Sequence, residues 1–238
     1  MKLSNATQFA TIPPSIYERE YQYWPWGKLI DFVADWVIEH SPEQASLFDY
    51  MCGTGYLLNR IAQSRPDVTC AGCCIDPEYV EYARRNYSSV SVALADSRNY
   101  APACGPDIVL CTAGLHHLHW DEQGPFLMKI AEEMPSGSHL LVGEQLIQEF
   151  SDEQQRRSHV LQLWFAQLDY LIANESPPDM IRAAVEVLGS DLLAKEFKVD
   201  EKSLVQLLER DFVVEQVKQF WPGSGLSYGD FLFICRRK

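Results

Sequence analysis

Positive charge is scarce in this chain. Its 238 residues hold 20 lysines and arginines against 33 aspartates and glutamates, a formal net charge of −13. A nucleic-acid binder neutralises phosphates with clustered Lys and Arg. Here the basic runs are short (Arg84-Arg85, Arg156-Arg157, Arg236-Arg237-Lys238) and read as solvated helix faces or a strand end. No nucleic-acid partner is expected. Long apolar runs are also missing: none reaches the ~18 residues of a membrane span, so no membrane partner is expected. The first residues, Met1 to Gln8, show no apolar signal-peptide core, and the expected location is the cytoplasm. The seven cysteines are odd in number and mostly fall in strand-like runs, where they act as small buried hydrophobes. Cys70-x-x-Cys73 has no partnering Cys/His pair at zinc-like spacing, so no metal site is expected. Repeats and low-complexity segments are absent. With 47% hydrophobic and 22% charged residues, the composition is that of one globular domain over residues 1–238.

What is present is most concentrated in Ser46-Leu47-Phe48-Asp49-Tyr50-Met51-Cys52-Gly53-Thr54-Gly55. An apolar run closes on an aspartate, turns through small residues and opens into a helical pattern. Strand, glycine turn and helix N-terminus together bring backbone N–H groups against a ligand. Val68 to Ile75 reads as a second strand ending at Asp76, placed where an acid can accept both hydroxyls of a ribose. Val90 to Ala95 is a third, ending at Asp96 and Ser97, and Asp107 to Cys111 a fourth, running into Thr112-Ala113-Gly114-Leu115-His116-His117-Leu118. Each strand delivers a polar or small residue at its C-terminal end, as the ligand crevice of an open α/β sheet requires.

On these residues the chain resembles the class I S-adenosylmethionine-dependent methyltransferases of small-molecule type. The family's acidic-then-glycine motif falls on Asp49, Met51, Gly53 and Gly55, with Met51 in place of the first glycine. Leu115-His116-His117-Leu118 and the Pro135–Gly137 turn into a fifth strand, His139 to Val142, also match. The resemblance implies S-adenosylmethionine as cofactor, with contacts from Asp49, Met51, Cys52, Gly53, Gly55, Asp76, Pro77, Asp96, Ser97 and Thr112. It also implies an α/β, doubly wound, mostly parallel seven-stranded Rossmann-like sheet whose last strand is antiparallel. The Asn/Asp-Pro-Pro-aromatic motif of base- and glutamine-methylating relatives is missing after strand four.

The rest of the chain fits that frame. Leu29 to Glu39 reads as a helix, and residues 1–28 as an N-terminal arm or lid containing an aromatic loop, Tyr21 to Lys28. Residues 151–198 break the strand–helix alternation with two amphipathic helices between strands five and six. They read as a helical cap over the site, or alternatively as sheet packing or a homodimer face. Leu204 to Leu208 is a last helix, and Phe212 to Trp221 with Tyr228 to Arg236 a closing hairpin, because Pro222 to Gly225 is too short for a parallel crossover.

Methyl transfer from a sulfonium is an in-line displacement needing proximity, a dry pocket and, for protonated acceptors, a base. The catalytic candidates are His116 and His117, ahead of His119. Tyr23, Trp24, Trp26, Glu144 and Trp164 are the candidate contacts to a small-molecule acceptor, taking O- or N-methylation. Two other classes remain at this point. One is a cofactor-binding regulator without transfer activity, which Met51 favours. The other is a nicotinamide-dependent oxidoreductase, against which Tyr56-Leu57-Leu58 follow Gly55 where another glycine would stand.

Overall fold

In the computed structural model, residues 12–193, 196–223 and 225–238 are described. Seven strands form one sheet in the order β3-β2-β1-β4-β5-β7-β6. In chain order they are β1 (Ser46–Asp49), β2 (Thr69–Cys74), β3 (Ser91–Leu94), β4 (Ile108–Thr112), β5 (His139–Leu146), β6 (Phe212–Trp221) and β7 (Gly229–Arg237). The first five pair in parallel, and β7 runs antiparallel to both neighbours, β5 and β6. This is the sheet the sequence implied, including the closing hairpin.

Strand side chains alternate between faces, so a sheet covered on both sides needs apolar residues at every position. Leu47, Ile108, Leu110, Leu141, Leu232 and Ile234 enter one core cluster. Their neighbours Phe48, Val109, Leu140, Val142, Phe231 and Phe233 enter the other. The first face is covered by α2 (Gly27–His40), α3 (Tyr56–Ser64) and α4 (Pro77–Asn86), and the second by α5 (Trp120–Glu133) and α8 (Glu201–Leu208).

Two helices, α6 (Glu153–Ala173) and α7 (Pro178–Leu192), precede α8 in the connection from β5 to β6. Asp152 caps α6 by accepting the Gln155 N–H at 2.9 Å. Val160, Leu163, Trp164 and Leu171 of α6 form a third cluster with Ile147, Trp221 and Tyr228. Phe165 and Ile172 point outward, 56% and 62% exposed.

The N-terminal arm requires a correction. Pro14–Tyr23 form a helix, α1, and Gly27 already begins α2, so the aromatic loop shrinks to Trp24, Pro25 and Trp26. Pro14 at the first helical position was the signal for it. Residues 1–11 of the arm lie outside the described residues. α1 lies across the C-terminal edge of the sheet, tied on one side by Glu18 to the Tyr82 and Tyr87 hydroxyls on α4 and on the other by Arg19 to Asp179 on α7.

Candidate active site

β1 ends at Asp49, and the chain turns through residues 50–55 into α3. Gly53 and Gly55 both sit at positive φ, +52° and +76°, where a side chain would be strained. A Cβ on Gly53 would also stand 3.2 Å from the Tyr17 ring, so α1 roofs the turn. Asp49 is 1% exposed and accepts the Met51 N–H at 3.2 Å. Burial raises its carboxyl to about 7, against the pull of that one hydrogen bond. Two more buried polar atoms lack hydrogen-bond partners: Thr54 Oγ1 within the turn, and Glu20 Oε1 on the roofing helix α1. Burial pushes the Glu20 carboxyl well above the ordinary range. Met51 packs against Gly114, and Cys52 is buried, its N–H donating to the Cys73 carbonyl at 3.1 Å.

The next two strand ends carry the expected acids, each already engaged. Asp76 is the N-cap of α4. Its Oδ1 accepts from the Glu78 and Tyr79 N–H groups at 2.8 and 3.3 Å, with Pro77 as the first helical residue. Asp96 is bound by Arg98 at 2.6 Å, and Arg98 also reaches Glu122 at 2.7 Å. The Arg98 guanidinium holds the Asp96 carboxyl below its usual range. Ser97 beside it is buried.

At the end of β4, Thr112 is followed by a single 3₁₀ turn, Leu115–His117. Glu144 on β5 fixes this turn. Its Oε1 accepts the Gly114 and Leu115 N–H groups at 3.0 and 2.7 Å, and its Oε2 lies 2.6 Å from His116 Nδ1. Both oxygens of this candidate acceptor contact are therefore occupied by the loop. His116 Nε2 faces Glu196 at 3.9 Å. From there a buried ladder continues: Glu196 to Lys198 at 2.6 Å, Lys198 to Asp191 at 2.8 Å, and Asp191 to the Trp164 indole N–H at 2.7 Å. Burial opposes the Glu196 charge, but Lys198 and the two imidazoles override it and bring its pKa to about 2. Burial likewise opposes the Lys198 charge, and Asp191 and Glu196 override that, raising its pKa.

His117 is exposed, its ring 4.2 Å from that of His116. Partial loss of hydration and the neighbouring His116 imidazole lower its pKa below the ordinary imidazole value, which favours the neutral ring at pH 7. Ligand atoms of His116, His117 and Glu196 lie within 4.8 Å of one another, a spacing open to a cation. Lys198 already supplies the Glu196 counter-charge. His119 opens α5, with Glu122 accepting its N–H at 3.2 Å, and its ring pairs with Asp121.

The aromatic candidates gather where α1, α2 and α6 meet. Trp26 lies over Gly143, and Trp24 meets Trp164 edge-on with centroids 6.0 Å apart. Tyr23 faces outward to Arg19, 5.6 Å from its ring centroid. Sequence reasoning missed Tyr17, Glu20, Asp191, Glu196, Lys198, Gln167 and Asp230. For Asp230 a signal existed: one acid directly ahead of the apolar run Phe231 to Cys235.

Comparison with known proteins agrees with this geometry. Residues 47–137 match the family model of a methyltransferase domain. No curated protein matches the chain. Among solved structures, the N-methyltransferase NodS from Bradyrhizobium japonicum WM9, complexed with S-adenosyl-L-homocysteine, is similar. Its TM-score is 0.63 at 11% identity, over 97% of this chain and 94% of that one. The plantazolicin methyltransferase BpumL, complexed with a monoazolic desmethylPZN analog and S-adenosylhomocysteine, gives 0.64 at 12%, over 94% and 90%. Magnesium protoporphyrin IX methyltransferase (ChlM) from Synechocystis PCC 6803, with the same product bound, gives 0.59 at 15%, over 90% and 84%. Identities this low speak for the fold.

Proposed function

We propose that this chain, a member of the class I S-adenosylmethionine-dependent methyltransferases, transfers a methyl group to an oxygen or nitrogen of a small-molecule acceptor. The observation that carries the reading is the Gly53–Gly55 turn: two positive-φ glycines, entered from the buried acid Asp49 and roofed by Tyr17 of α1, the helix that also carries the buried acid Glu20. An under-partnered acidic lining suits the ammonium end of the cofactor, and the unpartnered Thr54 Oγ1 and Glu20 Oε1 are polar atoms such a ligand would satisfy. Asp76 would hold the ribose with Oδ2, since Oδ1 is committed to the helix cap. Ser97, beside Asp96, would border the adenine. When bound, S-adenosylmethionine supplies an electrophilic methyl group on a sulfonium together with its leaving group.

The remaining chemistry belongs to the acceptor's proton. In the tautomer that donates Nδ1–H to Glu144, His116 keeps a lone pair on Nε2, with Glu196 3.9 Å away, the arrangement of a base oriented by a carboxylate. His116 is thus the proton acceptor, while neutral His117 lines the solvent side. Trp24, Trp26 and Trp164 form the apolar wall that keeps water out, with α6 and α7 as the cap. The excess of acids over bases supports a small molecule over a nucleic acid as acceptor. No helix among the described residues is long and apolar enough to cross a membrane, which suits the cytoplasmic placement. Exposed Phe165 and Ile172 on α6 are the groups a homodimer would cover. Sedimentation velocity decides that point.

The test is incubation with methyl-labelled S-adenosylmethionine and panels of small amines, phenols and alcohols. Labelled product is expected from at least one class, and His116→Asn is expected to lower turnover by ~10²-fold or more with cofactor affinity retained. Equal turnover in the variant overturns the base assignment. Label entering no small molecule overturns the acceptor class.

A further inference from the structure

Gln145 and Asp230 are Cα partners across the antiparallel β5–β7 ladder, and Gln167 reaches them from α6. The Gln145 side-chain nitrogen donates to Gln167 Oε1 at 2.8 Å and to Asp230 Oδ1 at 3.3 Å. Asp230 is 0% exposed and Gln167 1%. Yet Asp230 Oδ2 and Gln167 Nε2 both lack a hydrogen-bond partner. A buried acceptor and a buried donor, each held by the same amide and each unsatisfied, cost the fold free energy that a visiting ligand would return.

The charge around this trio points the same way. Lys198 spends its bonds on Asp191 and Glu196, and Lys28 is exposed over the Tyr170 ring, so both act on Asp230 from beyond ion-pair distance. Burial consequently lifts the Asp230 carboxyl to about 7. The trio also borders the proposed acceptor wall. Gly143, on the same strand face as Gln145, lies beneath Trp26 and beside Thr112. Trp164, one turn before Gln167 on α6, packs against Trp24. Aromatic faces beside a carboxylate suit an ammonium group.

We propose that Asp230, held by Gln145 and flanked by Gln167, recognises an ammonium group on the methyl acceptor, which places the acceptor among small amine-bearing molecules. The ammonium donates to Asp230 Oδ2. The role is recognition; proton removal stays with His116. The inference rests on the methyltransferase reading, and its test separates the two.

The parent protein is first titrated with S-adenosylhomocysteine. The saturated protein is then titrated calorimetrically at pH 8 with n-propylamine, phenethylamine and tryptamine, and with n-propanol, 2-phenylethanol and tryptophol. At least one amine is expected to bind about tenfold or more tightly than its alcohol. Asp230→Asn is expected to erase that preference while leaving affinity for S-adenosylhomocysteine within about twofold of the parent. If no amine outbinds its alcohol in the parent, or the preference survives in Asp230→Asn, the amine assignment is wrong and the methyltransferase reading stands. Should Asp230→Asn fail to fold, the parent's amine-to-alcohol ratio decides alone. Failure of the parent to bind S-adenosylhomocysteine overturns both.

Discussion

Met51 and Gly114 are built around each other: a Cβ added to Gly114 would stand 2.5 Å from Met51 Sδ and 2.7 Å from Met51 Cβ. The glycine turn after β1 and the turn after β4 thus touch through a thioether where family resemblance leads one to expect a glycine at 51. The φ of Gly114 is −131°, which any residue adopts, so only packing forbids a side chain there. Gly114→Ala is expected to cost about 1–3 kcal/mol by overpacking, and adding Met51→Gly should recover much of it. Urea unfolding of the single and double variants measures the coupling. Equal, additive losses would show that the contact is slack.

Asp76 has two duties, a helix cap and a proposed ribose contact. Asp76→Ala should lose about 0.5–2 kcal/mol of stability from the cap and at least about tenfold in cofactor affinity. Asp76→Ser keeps the cap and should lose affinity alone. Thermal unfolding paired with calorimetry separates them, and a serine variant with parental affinity would leave Asp76 with the cap only.

The Asp49 carboxyl, pushed by burial from 3.8 up to about 7, gives the free protein a pH signature. Because the folded state holds this proton more tightly than the unfolded one, its contribution to stability falls as pH rises from about 4 to about 7. Asp49→Asn, nearly isosteric, should gain more over the parent at pH 8 than at pH 5. Melting temperatures at the two pH values check this. An equal difference at both would mean that Asp49 is already ionised at pH 5.

Lys198 is the cation that makes the buried Glu196 and Asp191 tolerable. Lys198→Met strands both and is expected to cost about 3–5 kcal/mol. The depressed Glu196 pKa adds a second readout: its stabilisation is present above the unfolded value of 4.5 and is lost as pH falls toward about 2. Denaturant midpoints between pH 7 and pH 3 should therefore fall steeply in the parent and less so in the variant. A variant that is parental at pH 7 would show the ladder to be dispensable.

The central strands β1, β4 and β5 were legible because each is a short apolar run buried on both faces, with β1 stopped by a polar residue at Asp49. α1 was not, because its residues Tyr17, Glu20 and Tyr21 mix aromatic and acidic groups and lack an apolar stripe. Glu144 was readable as a residue at the crevice edge. That its oxygens would be spent on Gly114, Leu115 and His116 was not, since the bonds join segments about 30 residues apart. Glu196, Lys198 and Asp191 stayed hidden for a related reason: charges that pair only through the fold look like solvated ones in sequence.

The most direct test of the account is a calorimetric titration of the purified protein with S-adenosylmethionine and S-adenosylhomocysteine, run beside Gly53→Val. The parent is expected to bind both at one site. The variant should stay folded by circular dichroism but lose binding, because a branched side chain at φ +52° would strain the turn and press on the Tyr17 roof. A parent that binds neither compound, or a folded Gly53→Val that binds as the parent does, would contradict the cofactor crevice on which the proposed methyl transfer depends.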